Sequence, residues 1–245
     1  MSTDITTLAV FLAAVGLLGL SKGGLSGIGL LSMPMMLLVM PPAAAAGLIL
    51  PVLMMQDFFG VWLYRGKWDV ENLKLLVPAA AIGVGLGVIL FAFLPTRLML
   101  LMLGIITMAF ALRAIIGPKA PAIKPPPLVG WVLGILSGLT STVLHQGGPT
   151  FQMYLMPQRL PRDVFVGTTV TFFWLINLIK LPGFIVLGQI TREGLIVAGL
   201  AAPFALAMTW AGAKLVSHIN PDRYYIIIYW ILFAVGVKLL GDGLF

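Results

Sequence analysis

The stretch Gly19-Leu20-Ser21-Lys22-Gly23-Gly24-Leu25-Ser26-Gly27-Ile28-Gly29 interrupts a long apolar run with five glycines, two serines and a lysine. An ordinary spanning helix does not carry such a break at mid-depth. The apolar arm before it, Leu8 to Ser21, rises about 21 Å at about 1.5 Å per residue. That falls short of a hydrocarbon core of roughly 30 Å. The arm after it, Ile28 to Met40, contains Pro34 and stops at Pro41-Pro42, where proline removes helix donors. Two short arms around a glycine tip predict a helical hairpin that turns inside a membrane. The alternative is one long helix kinked at the glycines.

The rest of the chain supplies the membrane. It has 245 residues, 60% of them hydrophobic and 9% charged, against about 25% charged in a soluble domain. Apolar runs of spanning length recur throughout, and the alternation of a β-barrel is missing. The fold class expected is an all-α polytopic membrane protein. The net charge of +7 falls mainly in short loops, which points to topology and lipid headgroups rather than to nucleic acid. There is no cysteine, which excludes disulfides, thiolate catalysis and Cys-based metal sites. The start of the chain has no basic region or small-residue cleavage site, so no removable signal peptide is expected.

The break returns as Gly138-Leu139-Thr140-Ser141-Thr142-Val143-Leu144-His145-Gln146-Gly147-Gly148-Pro149. At an offset of roughly 120 residues, Gly19-Leu20-Ser21 falls on Gly138-Leu139-Thr140, Gly29 on Gly148, Gly47 on Gly167 and Asp57 on Asn177. Full spans are expected over Ala43–Tyr64, Leu75–Leu94 and Leu98–Ile116 in the first half. Those of the second are Val164–Leu187, Gly194–Ala213 and Tyr224–Leu240. Each half therefore reads as a broken or re-entrant hairpin followed by three transmembrane helices. That gives about eight spans, or ten if both hairpin arms count. The run Pro125-Pro126-Pro127 marks the boundary between an N-terminal repeat, 1–124, and a C-terminal repeat, 125–245, within one compact membrane domain.

Charge placement separates two topologies. If each hairpin returns to its starting side, Arg65, Lys67, Lys74, Arg113, Lys119, Lys124, Arg159, Arg162, Lys214 and Arg223 share one side. Only Arg97, Arg192 and Lys238 lie on the other. If each hairpin is one crossing, Arg192 and Lys238 change places with Arg159, Arg162, Lys214 and Arg223, and only a weak bias remains. The positive-inside rule favours the returning hairpin, which puts both termini outside the cytoplasm and makes the halves inverted repeats. Binding at the interface of such repeats is a transporter design.

The tips hold the residues of chemical interest. Backbone N–H groups at half-helix starts favour an anion, although glycines in membranes also serve close helix packing. Lys22 in the first tip is costly at mid-bilayer and reads either as a substrate counter-charge or as the ion-pair partner of Asp57. Lys180 shares a helix face with Asn177, and snorkelling to the interface is its favoured reading. His145 can hydrogen-bond an oxyanion or titrate. The substrate set expected on residue type is Ser21, Lys22, Gly23, Gly24, Ser26, Thr140, Ser141, His145, Gln146, Gly147, Gly148 and Gln152. Asp57, Asn177 and Lys180 take supporting or coupling roles. No metal or cofactor is expected, and His218 sits in a charged loop with no metal-ligand pair. Paired intramembrane aspartates, a His-Glu-x-x-His motif and a P-loop are missing, so the chain is not read as an enzyme.

The tip followed by proline, a short linker and a span ending in Tyr64-Arg65-Gly66-Lys67, repeated after about 120 residues, resembles the TauE/SafE sulfite exporter family. The likeness covers nearly the whole chain and is strongest at Gly23-Gly24…Pro34 and Gly147-Gly148-Pro149. It implies a multi-pass transporter of the bacterial inner membrane, usually an exporter, for sulfite, sulfonates or sulfoacetate-like anions. The family commonly carries a denser glycine run at each tip than this chain does. The partners implied are a small anion, the lipid bilayer and protons as a coupling ion, and a homodimer is compatible with the reading. An anion channel and a non-transporting assembly factor are the alternatives.

Overall fold

The computed structural model describes residues 5–90, 95–116 and 122–244. Among these there are ten α-helices and no strand. The first half contains α1 (Ile5–Gly23), a 3-10 turn (Ile28–Leu31), α2 (Ser32–Leu37), α3 (Pro42–Leu63), α4 (Val70–Leu90) and α5 (Thr96–Ile116). The second contains α6 (Pro127–Leu144), α7 (Gly148–Leu155), a 3-10 turn (Met156–Gln158), α8 (Arg162–Val186), α9 (Arg192–Ser217) and α10 (Pro221–Leu244). Seven helices are long and apolar enough to cross a membrane, α1 and α6 among them. The chain is a multi-pass membrane protein. The expected span end at Leu94 and the loop residue Lys119 lie outside the described residues.

Both first arms run further than the sequence suggests. α1 continues through Lys22 to Gly23, and α6 continues through Thr140 and Ser141 to Leu144. The second break is thereby narrowed to the few residues around His145. The physical reason is that Ser and Thr can hydrogen-bond their own helix: Thr140 Oγ1 donates to Leu136 O at 2.7 Å and Thr142 Oγ1 to Gly138 O at 2.8 Å. Their polarity therefore costs the helix little.

The chain doubles back at each tip. Gly29 lies against Ser21 and Leu18, and Ser32 Oγ donates to Ala14 O at 2.9 Å, so the second arm descends alongside α1. Gly147 lies against Ser137 and Ser141, and Gly130 against Tyr154, so α7 descends alongside α6. A single kinked helix would place none of these pairs together.

The principal helix pairings map onto themselves when the halves are exchanged. α1 packs on α9 as α6 packs on α4, α3 meets α9 as α8 meets α4, and α3·α8 and α5·α10 are each their own counterpart. The central α3·α8 crossing is antiparallel. A Cβ on Gly47, near the start of α3, would strike the carbonyl of Gln189 just beyond α8. A Cβ on Gly167, near the start of α8, would strike the carbonyl of Lys67 just beyond α3. The two glycines permit this approach, as small residues do between membrane helices. Between those ends Asp57 and Asn177 face each other.

Candidate functional site

The first hairpin closes at Gly24. Its φ of 136° lies where a side chain is rarely accommodated. The N–H of Gly24 bonds Ser21 O and that of Leu25 bonds Leu20 O, both at 3.1 Å, so the last carbonyls of α1 are satisfied by a Schellman-type turn. The second hairpin closes at His145, with φ 52°. A left-handed backbone is strained for a residue with a Cβ and needs support from its surroundings. Two ring contacts give it. Nε2 lies 3.0 Å from Ala46 O and Nδ1 lies 3.0 Å from Lys180 Nζ. A carbonyl can only accept, so Nε2 carries the ring proton and Nδ1 accepts from the lysine.

The buried charges follow two patterns. Lys22 Nζ pairs with Asp57 Oδ1 at 2.6 Å, and Asn177 Nδ2 donates to Asp57 Oδ2 at 2.6 Å. The Lys22 ammonium also sits 4.7 Å from the Phe173 ring centroid. Lys180 is fully buried and does not snorkel. It donates to Ser141 O at 3.0 Å and Ser141 Oγ at 3.2 Å besides His145. α6 and its tip cover the α8 face on which Lys180 lies, so the ammonium meets protein acceptors instead of an interface. Two lysines and one aspartate leave this cluster one positive charge in excess.

A cavity of about 60 Å³ lies where the tips meet. It is lined from the first tip by Ser21, Lys22, Ser26, Gly27 and Gly29, and from the second by Ser141, His145, Gly148 and Gln152. Asn177 and Thr169 of α8 complete its polar wall, and Phe173 with neighbouring Leu and Val side chains makes the apolar one. Asp57 and Lys180 stand behind this lining.

Five expected residues lie elsewhere. Gly23 and Gly24 pack on α9, and their carbonyls accept from the hydroxyls of Tyr64 at 2.7 Å and Tyr224 at 2.8 Å. Thr140 bonds its own helix. Gln146 Nε2 reaches Leu30 O at 3.5 Å, and Gly147 O accepts from Ser137 Oγ at 2.8 Å. Sequence reasoning missed Thr169 and Phe173, which look like ordinary helix residues. It also missed Ser137 and the two tyrosines that brace the tips. The glycine offsets alone could have flagged Ser137, which falls close to Leu18, another wall of the cavity.

Gly19-Leu20-Ser21-Lys22-Gly23 has the spelling of a nucleophile elbow, Gly-x-Ser-x-Gly. That motif works on a sharp strand-to-helix turn. Here it forms the last turns of α1, not a strand-to-helix turn.

No curated protein and no solved structure matches the chain. A family model described as sulfite exporter TauE/SafE matches residues 11–239. That match covers both hairpins, the central α3·α8 crossing and part or all of each of the ten helices. Membership implies a membrane exporter of sulfite or a related small anion. By this match along nearly its whole length, the chain belongs to the sulfite exporter TauE/SafE family.

Proposed function

We propose that the chain is a secondary transporter of the bacterial inner membrane that exports a small sulfur-containing anion, held in the cavity between the two hairpin tips. The observation that carries this reading is the cavity itself, lined from both halves, with the Lys22 ammonium on its wall and the Lys180 ammonium one side chain behind. A low-dielectric pocket with one excess positive charge favours an anion. Ser21, Lys22, Ser26 and Gln152 contact the anion directly, and the first turn of α7 at Gly148 adds its dipole. Both ring nitrogens of His145 are engaged, so His145 acts by holding Lys180 toward the site.

The antiparallel α3·α8 crossing and the exchange symmetry of the packing support reading the halves as inverted repeats. In that design the site stays near the midplane while the halves rock around it to expose either side in turn. Both termini are then periplasmic, and the substrate gradient, the membrane potential or protons drive export.

The test is sulfite and sulfonate flux in proteoliposomes. Wild-type protein should show saturable counterflow. The double variant Lys22→Met/Asp57→Asn, which leaves no orphaned charge, should stay folded and lose flux. No flux from folded wild-type protein with any of these anions would end the proposal. Unsaturable current would reassign the chain as a channel.

A further inference from the structure

The cavity wall holds an acceptor with nothing to accept from. The Asn177 amide is fixed in orientation, because its nitrogen faces the Asp57 carboxylate at 2.6 Å. A flipped amide would set oxygen against oxygen. Asn177 Oδ1 is therefore the end left over. It is buried and has no hydrogen-bond partner among the described residues, and Asn177 is only 1% exposed. Gln152 of the second tip lines the same cavity, but no hydrogen bond fixes its amide, so it can turn either its oxygen or its N–H to a ligand. Buried polar atoms in native proteins are nearly always satisfied. An exception of fixed orientation on the cavity wall describes what the cavity is built to receive.

A fully deprotonated oxyanion offers only lone pairs. It satisfies Lys22 but sets its own oxygens against Asn177 Oδ1. We infer that the anion taken by this site carries a hydrogen-bond donor of its own, as the O–H form of hydrogensulfite or a small hydroxysulfonate does, and that Asn177 Oδ1 is the group that reads it. This inference rests on the anion-transport reading above. A cavity needs about 10–15 Å³ of accessible space to hold one water, so about 60 Å³ takes a compact ion of few heavy atoms and not a long organosulfonate. Asp57 takes a specificity role here. By accepting from the amide nitrogen it turns the amide oxygen toward substrate, while it also anchors Lys22.

The measurement is binding of two near-isosteric ions, hydroxymethanesulfonate and fluoromethanesulfonate, to the purified full chain, by ligand-dependent thermal stabilisation and by competition with sulfite. Wild-type protein should prefer the hydroxy ion by about tenfold, the worth of one hydrogen bond and its desolvation. Asn177→Leu should abolish this preference, with binding of the fluoro ion retained. Equal binding of both ions by wild-type protein overturns the inference and leaves the anion site standing. A preference that survives unchanged in Asn177→Leu overturns it in the same way. Failure to bind either ion or sulfite removes the anion site and this inference together.

Discussion

The two hairpin tips solve the same backbone problem with different chemistry. The first turns on Gly24, which tolerates a positive φ without support, and carries its lysine on the tip helix with the matching acid on α3. The second turns on His145, which does not tolerate it, and takes its lysine from α8. In the first tip an ion pair closes the electrostatics. In the second, Lys180 meets a hydroxyl, a carbonyl and an imidazole, all neutral acceptors. Near-symmetric folding thus produces an asymmetric field, and the surplus positive charge lies on the second side. The strain at His145 is held in place by two ring hydrogen bonds, one of which also orients Lys180. The tip and its cation therefore form one unit.

That contrast can be broken experimentally, and the ion pair should give the largest effect. Asp57→Ala leaves the largely but not fully buried Lys22 without its partner, for which a loss of up to about 3–5 kcal/mol of stability is expected. Adding Lys22→Met should restore most of it in a double-mutant cycle read by thermal unfolding in detergent. If the double variant is as unstable as the single one, the pair is not the source of the loss. Lys180→Met leaves neutral acceptors unpaired instead of a charge, so about 1–3 kcal/mol is expected. A loss equal to that of Asp57→Ala would mean that the second tip hides an ionic partner for Lys180.

The crossing of α3 and α8 predicts equality where the tips predict difference. Gly47→Ala and Gly167→Ala each drive a Cβ into a backbone carbonyl of the other half. Each should cost about 1–3 kcal/mol by overpacking, and the two costs should agree within about 0.5 kcal/mol. Unequal costs would show that the packing is less symmetric than the pairings imply. At the tip, His145→Ala keeps the backbone strain and loses both ring contacts, whereas His145→Gly loses the contacts and relieves the strain. The glycine variant should be the more stable by about 1 kcal/mol. The smallest effect belongs to the exposed pair of Lys67 and Asp163. Lys67→Ala should change stability by less than about 1 kcal/mol, and less still at high salt.

The hairpin turns were legible because glycine and proline act locally: a positive φ at Gly24 and the missing donors at Pro41 and Pro149 need no knowledge of neighbours. The helix ends inside the tips were less legible. Thr140, Ser141 and Thr142 look like breakers in a string of letters, yet their hydroxyls can fold back on their own helix, as Thr140 and Thr142 do. Residue type singled out Lys22, His145 and Gln152, which line the cavity between the tips. It gave no means of knowing that Gly23 and Gly24 face α9 while Ser26, a few residues on, faces the cavity.

Composition and periodicity by themselves determined a polytopic helical membrane protein with two glycine-broken hairpins, each followed by three long helices. They did so because hydropathy, run length and backbone permissiveness are properties of adjacent residues. Only the tertiary structure decided the partners. A lysine in an apolar helix near its end reads as one that snorkels, and what buries Lys180 is the arrival of α6 from another part of the chain. The ion pair of Lys22 with Asp57, the fixed amide of Asn177 and the acceptor left open beside them depend on an antiparallel crossing of α3 with α8. Charge and hydrogen-bond complementarity act across space within a few ångströms, and the order of residues along a chain does not encode that distance.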